Sequence, residues 1–200
     1  VESYERELRI GVADARALEL HKQLGRTLQA RLDEAFRAMG HWEQARALAA
    51  EDEEVLNALR QLYRDGFNFE KLVDVLRAKL ATGHYDEAGQ LGLWRELAEL
   101  FTESINTPPE AIDAWEHVLG LSEADESAIE ALEILYRQEQ RWAKAVELGL
   151  LKVEHTEPGD AQLEIWMDVA QIQEQRLEDA PGAAATYRTL LVAHPSNLDA

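Results

Sequence analysis

Six histidines, His21, His41, His84, His117, His155 and His194, are the side chains here best suited to binding a metal or moving a proton. None stands in an H-E-x-x-H pattern. No two lie three or four residues apart beside an acid cluster, the spacing that aims two imidazoles from one helical face. The chain has no cysteine, which removes thiolate zinc sites, thiol nucleophiles and disulfides together. Its 39 Asp and Glu residues make carboxylate pairs common everywhere, so no single pair is marked for acid–base work. No serine sits in a nucleophile elbow, and neither phosphate-cradling glycine pattern occurs. Gly89 and Gly92 fall inside a helical stripe and read as permitting close helix packing. The residues therefore point to no catalytic, cofactor or metal site, and to a non-enzymatic chain.

The formal net charge is −19. Such a field repels nucleic acid and anionic lipid and favours basic protein or peptide partners. No stretch approaches the roughly 20 apolar residues that span a membrane, so direct insertion is not expected. No signal peptide is evident at Val1. A soluble, cytoplasmic setting is slightly favoured, although the lack of cysteine says nothing of the redox compartment.

Leu, Ala, Glu, Arg and Gln dominate, a helix-forming composition. Asp52, Glu53 and Glu54 open one expected helix, and Asp125 and Glu126 open another, where carboxylates meet the positive helix end. The run Glu51–Glu54 could serve as an acidic docking patch, but a solvated helix start explains it more simply. Four helical stretches are expected at about 86–105, 109–121, 125–139 and 141–154. Pro109 suits the first turn of the second.

These elements recur. Sliding the chain by 72 residues brings Leu93-Trp94 onto Ile165-Trp166, Leu97-Ala98 onto Val169-Ala170, Pro109 onto Pro181 and Trp115 onto Tyr187. Sliding back by 73 brings Leu97-Ala98 onto Leu24-Gly25, Trp115 onto Trp42, Tyr136 onto Tyr63 and Trp142 onto Phe69. Each copy divides into two halves of about 36 residues, two helices and a turn, a period that signifies a stacked helical array. What recurs is a pattern of sizes. Small residues return where two helices approach closely, and aromatics return where a gap between helices must be filled. Trp42, Trp94, Trp115, Trp142 and Trp166 are accordingly expected in the core, and His21 partly buried in the slot of Trp94 and Trp166.

The half-units resemble tetratricopeptide repeats. Trp94, Leu97, Ala98 and Phe101 match that family's first helix. Ala111, Trp115, Val118 and Leu119 match its second, displaced by one inserted residue. Leu24, Gly25, Leu28, Ala38, Trp42 and Ala45 repeat the pattern, as do Trp166, Val169, Ala170, Ala183, Tyr187, Leu190 and Pro195. The in-between half-units depart from it, with Arg60 and Glu133 at the small position and Gly149 where an aromatic is usual. The resemblance implies an all-α, right-handed α-solenoid of stacked antiparallel helix hairpins. Residues 1–13 would be the second helix of a preceding repeat. Residues 14–51, 52–85, 86–124, 125–158 and 159–196 would be five repeats, and 197–200 the start of another. Uncapped ends of this kind predict some end-to-end self-association.

The resemblance also implies a scaffold that holds a peptide or partner protein in a concave groove lined by first helices. The family's groove positions carry over to Lys22 and Arg26, then Asn57, Gln61 and Arg64, then Arg95, Glu99 and Glu103. Glu130, Ile134 and Arg137 follow, and then Met167, Gln171 and Glu174. The clamp that captures chaperone carboxylate tails is not reproduced, because Ala58 and Leu62 stand where its later basic residues would be. The alternative expectation is a regulatory or self-assembling module of a larger protein whose activity lies elsewhere.

Overall fold

The computed structural model describes residues 1–30 and 34–193. Among them the chain forms eleven α-helices and one π-helical turn, without a strand. It divides into two compact units, Val1–Ile105 and Asn106–Ala200.

The first unit holds α1 (Glu2–Ile10), α2 (Asp14–Gln29), α3 (Ala35–Leu48), α4 (Glu53–Asp65), α5 (Phe69–Ala81) and α6 (Glu87–Glu99). The π-helical turn Leu100–Ile105 follows α6. Each helix packs on its neighbours in the chain, so the unit is a stack of antiparallel hairpins. Leu20, Leu24, Leu28, Leu59, Leu72 and Leu76 are fully buried, and Trp42 is almost so. Gly25 explains how α2 and α3 come so close. A Cβ there would lie 2.4 Å from the Trp42 ring. The indole N–H of Trp42 donates to Gln29 at 2.9 Å, so the ring is fixed at both its face and its polar edge.

The second unit holds α7 (Pro108–Leu121), α8 (Glu126–Gln138), α9 (Trp142–His155), α10 (Asp160–Gln175) and α11 (Ala180–Ala193), again each packed on the next. Val118, Ala128, Leu132, Val169 and Ala170 form its fully buried centre. Gly149 plays the part of Gly25, since a Cβ there would meet Val169 at 2.4 Å. The helices expected at 86–105, 109–121, 125–139 and 141–154 are all present within a few residues of those bounds.

Local signals place the helix ends. Asp52 accepts from the Val55 amide at 3.1 Å, and Asp125 from the Ala128 amide at 2.9 Å. Both are N-caps that satisfy an otherwise orphaned donor. At the other end of α4 the Asn68 amide donates to Tyr63 O at 2.8 Å and the Phe67 amide to Arg64 O at 3.1 Å. At the end of α8 the Arg141 amide reaches Tyr136 O and the Gln140 amide reaches Arg137 O. Both are Schellman closures, yet Phe67 (φ 54°) and Gln140 (φ 55°) occupy the left-handed position that glycine usually takes.

Several expectations need correction. Gly89 does not mediate helix packing. It lies in the first turn of α6, donates to the Asp86 cap at 2.9 Å, and the atoms nearest a Cβ there belong to Asp86 and Tyr85, not to another helix. Gly92 faces open space. Trp42 and Trp115 are buried as expected, but Trp94, Trp142 and Trp166 are only half-buried. Trp142 instead lies under the Arg176 guanidinium, 5.0 Å from its ring centroid. His194, Pro195 and the expected repeat start at 197–200 lie outside the described residues. Among the described residues no helix is long and apolar enough to cross a membrane.

Candidate interaction face

The groove residues carried over from the repeat pattern fall on α2, α4, α6 and the π turn in the first unit, and on α8 and α10 in the second. Most keep the polar side chain at the surface. Arg26, Asn57, Gln61, Arg64, Glu99 and Glu103 are exposed, as are Glu130, Gln171 and Glu174, while Lys22, Arg95 and Arg137 are half-buried. Ile134 is 57% exposed and Met167 44%, two large apolar side chains offered to solvent by the first helices of the second unit.

Long side chains tie one first helix to the next. Lys22 on α2 reaches Asp52 at 2.9 Å and Glu54 at 2.8 Å, at the start of α4. Arg26 forms a two-pronged pair with the same Glu54, at 2.5 and 2.7 Å. From α4, both Arg60 and Arg64 hold Glu96 of α6, which is nearly buried. From α8, Arg137 reaches Asp168 of α10 at 2.5 Å. The rule is one of direction: the cation stands on the earlier helix and the acid on the later one.

The electrostatics follow from this pairing. Arg26 beside Glu54, aided by Lys22 and opposed by partial burial, brings the Glu54 carboxyl down to about 2. Burial opposes ionisation of Asp52, but its hydrogen bonds from Lys22 and the Val55 amide outweigh that and hold it below the usual carboxylate range. The acidic run at Glu51–Glu54 is thus more than a solvated helix start. Two of its carboxylates fasten α4 to α2.

Other groove residues are engaged more locally. Asn57 accepts from Lys79 at 2.5 Å, and Lys79 lies 4.9 Å from the Tyr85 ring centroid. Gln61 donates to Asp65 at 2.9 Å within α4. Lys22 to Glu103 of this set lie on the first unit and Glu130 to Glu174 on the second.

Sequence spacing misses one constellation. His21 on α2 and His41 on α3 bring their Nδ1 atoms to 3.1 Å. One ring must donate and the other accept, so the neutral pair holds opposite tautomers. Twenty residues separate them in the chain. A search for two histidines on one helix does not find a pair made by two. Among the described residues no group of three or more His, Asp and Glu side chains is arranged to hold a metal. Chemically, the first unit's residues offer ordered charge, and the second unit's offer ordered charge with the exposed Ile134 and Met167.

No protein-family model and no curated protein matches the chain. Among solved structures it is similar to the MamA protein, at 15% identity over 92% of this chain and 96% of that one, with a TM-score of 0.48. It is similar to YrrB, described as a TPR protein with an unusual peptide-binding site, at 13% identity over 98% and 94%, with a TM-score of 0.46. A tetratricopeptide repeat protein from Parabacteroides merdae ATCC 43184 has 16% identity over 96% of this chain and 71% of its own, with a TM-score of 0.45. Within each unit the hairpins stack neighbour on neighbour, in the first with Gly25 closing against Trp42, and this all-α stacking is tetratricopeptide-like.

Proposed function

We propose that the chain is a non-catalytic scaffold that binds a peptide or partner protein on the first-helix faces of its units. The carrying observation is the exposure of Ile134 and Met167 on α8 and α10, amid side chains that are otherwise ion-paired or solvated. Large apolar groups held out on a rigid face are what an interface uses as anchors. The packing residues repeat while no reactive cluster does, which supports binding over catalysis. With a net charge of −19, a basic partner is favoured.

The test is affinity capture with the whole chain as bait, alongside an Ile134→Asp/Met167→Asp variant, with retained proteins quantified by mass spectrometry. A partner held by the wild type and lost by the variant, more weakly held at high salt, supports the reading. Retention of further copies of the chain alone by both baits would favour a self-assembling module instead.

A further inference from the structure

Matching positions of the two units are filled differently. Sliding α5 forward by 73 residues puts Leu72 on Ala145, Val75 on Leu148, Leu76 on Gly149 and Lys79 on Lys152. In the first unit Leu72 and Leu76 are fully buried on α5, which packs between α4 and α6. In the second unit the two leucines are replaced by the smaller Ala145 and Gly149, and a cleft of about 490 Å³ lies against them. Gly149 cannot be enlarged to close it, because Val169 occupies the space a Cβ would need. The volume falls in the range of about 300–1,000 Å³ typical of ligand sites.

The lining sets the chemistry of the occupant. The floor is apolar, with Leu148 and Ile165 beside the two small residues. Both cations at the rim are already engaged, Arg137 with Asp168 and Lys152 with Glu133, each at 2.5 Å. An incoming anion would have to displace one of these carboxylates. Glu164 is the remaining rim carboxylate, exposed and without an ion pair among the described residues. Three acids thus face two cations. Ile134 on α8 and Met167 on α10, each adjacent in sequence to a rim residue, are exposed.

We infer that this cleft is a specificity pocket that takes one bulky aliphatic side chain of a peptide in which a lysine or arginine lies close by and pairs with Glu164. The inference rests on the scaffold reading and narrows it to one site and one partner chemistry.

The experiment is selection of random peptides displayed on phage against the whole 200-residue chain. Selected peptides are then synthesised and their affinities measured by fluorescence anisotropy for the wild type, Ala145→Leu and Glu164→Lys. Peptides sharing an aliphatic residue beside Lys or Arg are expected. Ala145→Leu, which installs the residue type found at the matching position of the first unit, should weaken them about tenfold or more. Glu164→Lys should weaken them several-fold and restore binding to a peptide whose basic residue is changed to Glu. Should Ala145→Leu fail to fold by circular dichroism, Glu164→Lys and the charge-swapped peptide decide alone. Peptides that bind both variants as tightly as wild type, or that lack the aliphatic–basic pair, overturn the pocket and leave the scaffold reading standing. A selection that yields no binder overturns both.

Discussion

The Tyr63 hydroxyl donates to the Glu43 carboxylate at 2.8 Å, joining α4 back to α3. Seventy-three residues on, Tyr136 of α8 donates to Glu116 of α7 at the same 2.8 Å. A lysine completes each site, Lys71 at 2.5 Å from Glu43 and Lys144 at 3.8 Å from Glu116. Burial first, and then the adjacent carboxylate, raise both phenol pKa values, so each hydroxyl stays protonated and remains the donor. Hydrogen bonds to charged groups contribute about 1.5–3 kcal/mol, and partial exposure of the carboxylates puts these at the lower end. Tyr63→Phe and Tyr136→Phe should each cost about 1–2 kcal/mol in urea denaturation. A Glu43→Gln/Tyr63→Phe double variant should lose less than the sum of its parts. Additive losses would show that the two groups do not interact in solution.

The His21–His41 pair should give the first unit a pH dependence near neutrality. Burial, and then the proximity of His41, lower the pKa of His21. Burial also lowers that of His41, with Glu5 opposing and Arg37 assisting. A folded pKa below the unfolded value means that the unfolded chain binds protons more readily. The stabilisation is complete above the unfolded value of 6.5 and is lost as pH falls through the folded values. Thermal melts should therefore drop between about pH 7 and pH 5, and His21→Gln should flatten that slope. An unchanged slope in the variant would remove the pair as its source.

Acid should act on a second fastening at lower pH. Glu54 is brought from 4.5 to about 2 by Arg26 and Lys22, so its contribution is present above pH 4.5 and is lost as pH falls towards 2. The carboxylate is 40% exposed, so salt should screen this attraction substantially. Glu54→Gln should reduce the acid sensitivity of the first unit in that window at low ionic strength. The difference from wild type should shrink in about 1 M salt. A salt-independent difference would mean that the effect comes from packing.

What the sequence makes legible is what short-range chemistry decides. Asp52 and Asp125 reveal helix starts because a cap binds an amide three residues on. Leu24, Trp42, Leu97 and Val169 reveal the core because burial follows helical periodicity. Gly89 and Gly92 mislead because both lie on a helical stripe, and a stripe does not say which face the next helix covers. Arg26–Glu54 and His21–His41 are invisible for a related reason. Each joins two helices, 28 and 20 residues apart in the chain, and depends on how one is rotated against the other. Glu51–Glu54 is the instructive case. The helix dipole explains why acids begin α4, but the cations that α2 holds above them account for Asp52 and Glu54.

Gln140 offers a stabilising change. It closes α8 at φ 55°, where a side chain is strained, and it is exposed. Gln140→Gly removes that strain and keeps the Schellman hydrogen bonds, so a gain of about 1 kcal/mol is expected despite the greater freedom glycine gives the unfolded chain. Chemical denaturation measures it. A loss of stability would show that the Gln140 side chain contributes more than its conformation costs.

Gly25 should be the least replaceable residue of the α2–α3 contact. In an exposed helix Gly→Ala is favourable by about 1 kcal/mol. Here the added methyl would lie 2.4, 2.6 and 2.8 Å from three atoms of the Trp42 indole, none of which can retreat without moving a buried ring. Overpacking of this kind costs about 1–3 kcal/mol, which outweighs the propensity gain. Gly25→Ala should therefore destabilise the chain, and Trp42→Phe should relieve the clash while costing stability alone. The decisive quantity is the double variant. If the clash is the mechanism, Gly25→Ala is tolerated better in the Trp42→Phe background than in the wild type. If the two losses simply add, the helices already separate enough in solution to admit the methyl, and the close approach of α2 and α3 is not what Gly25 is for.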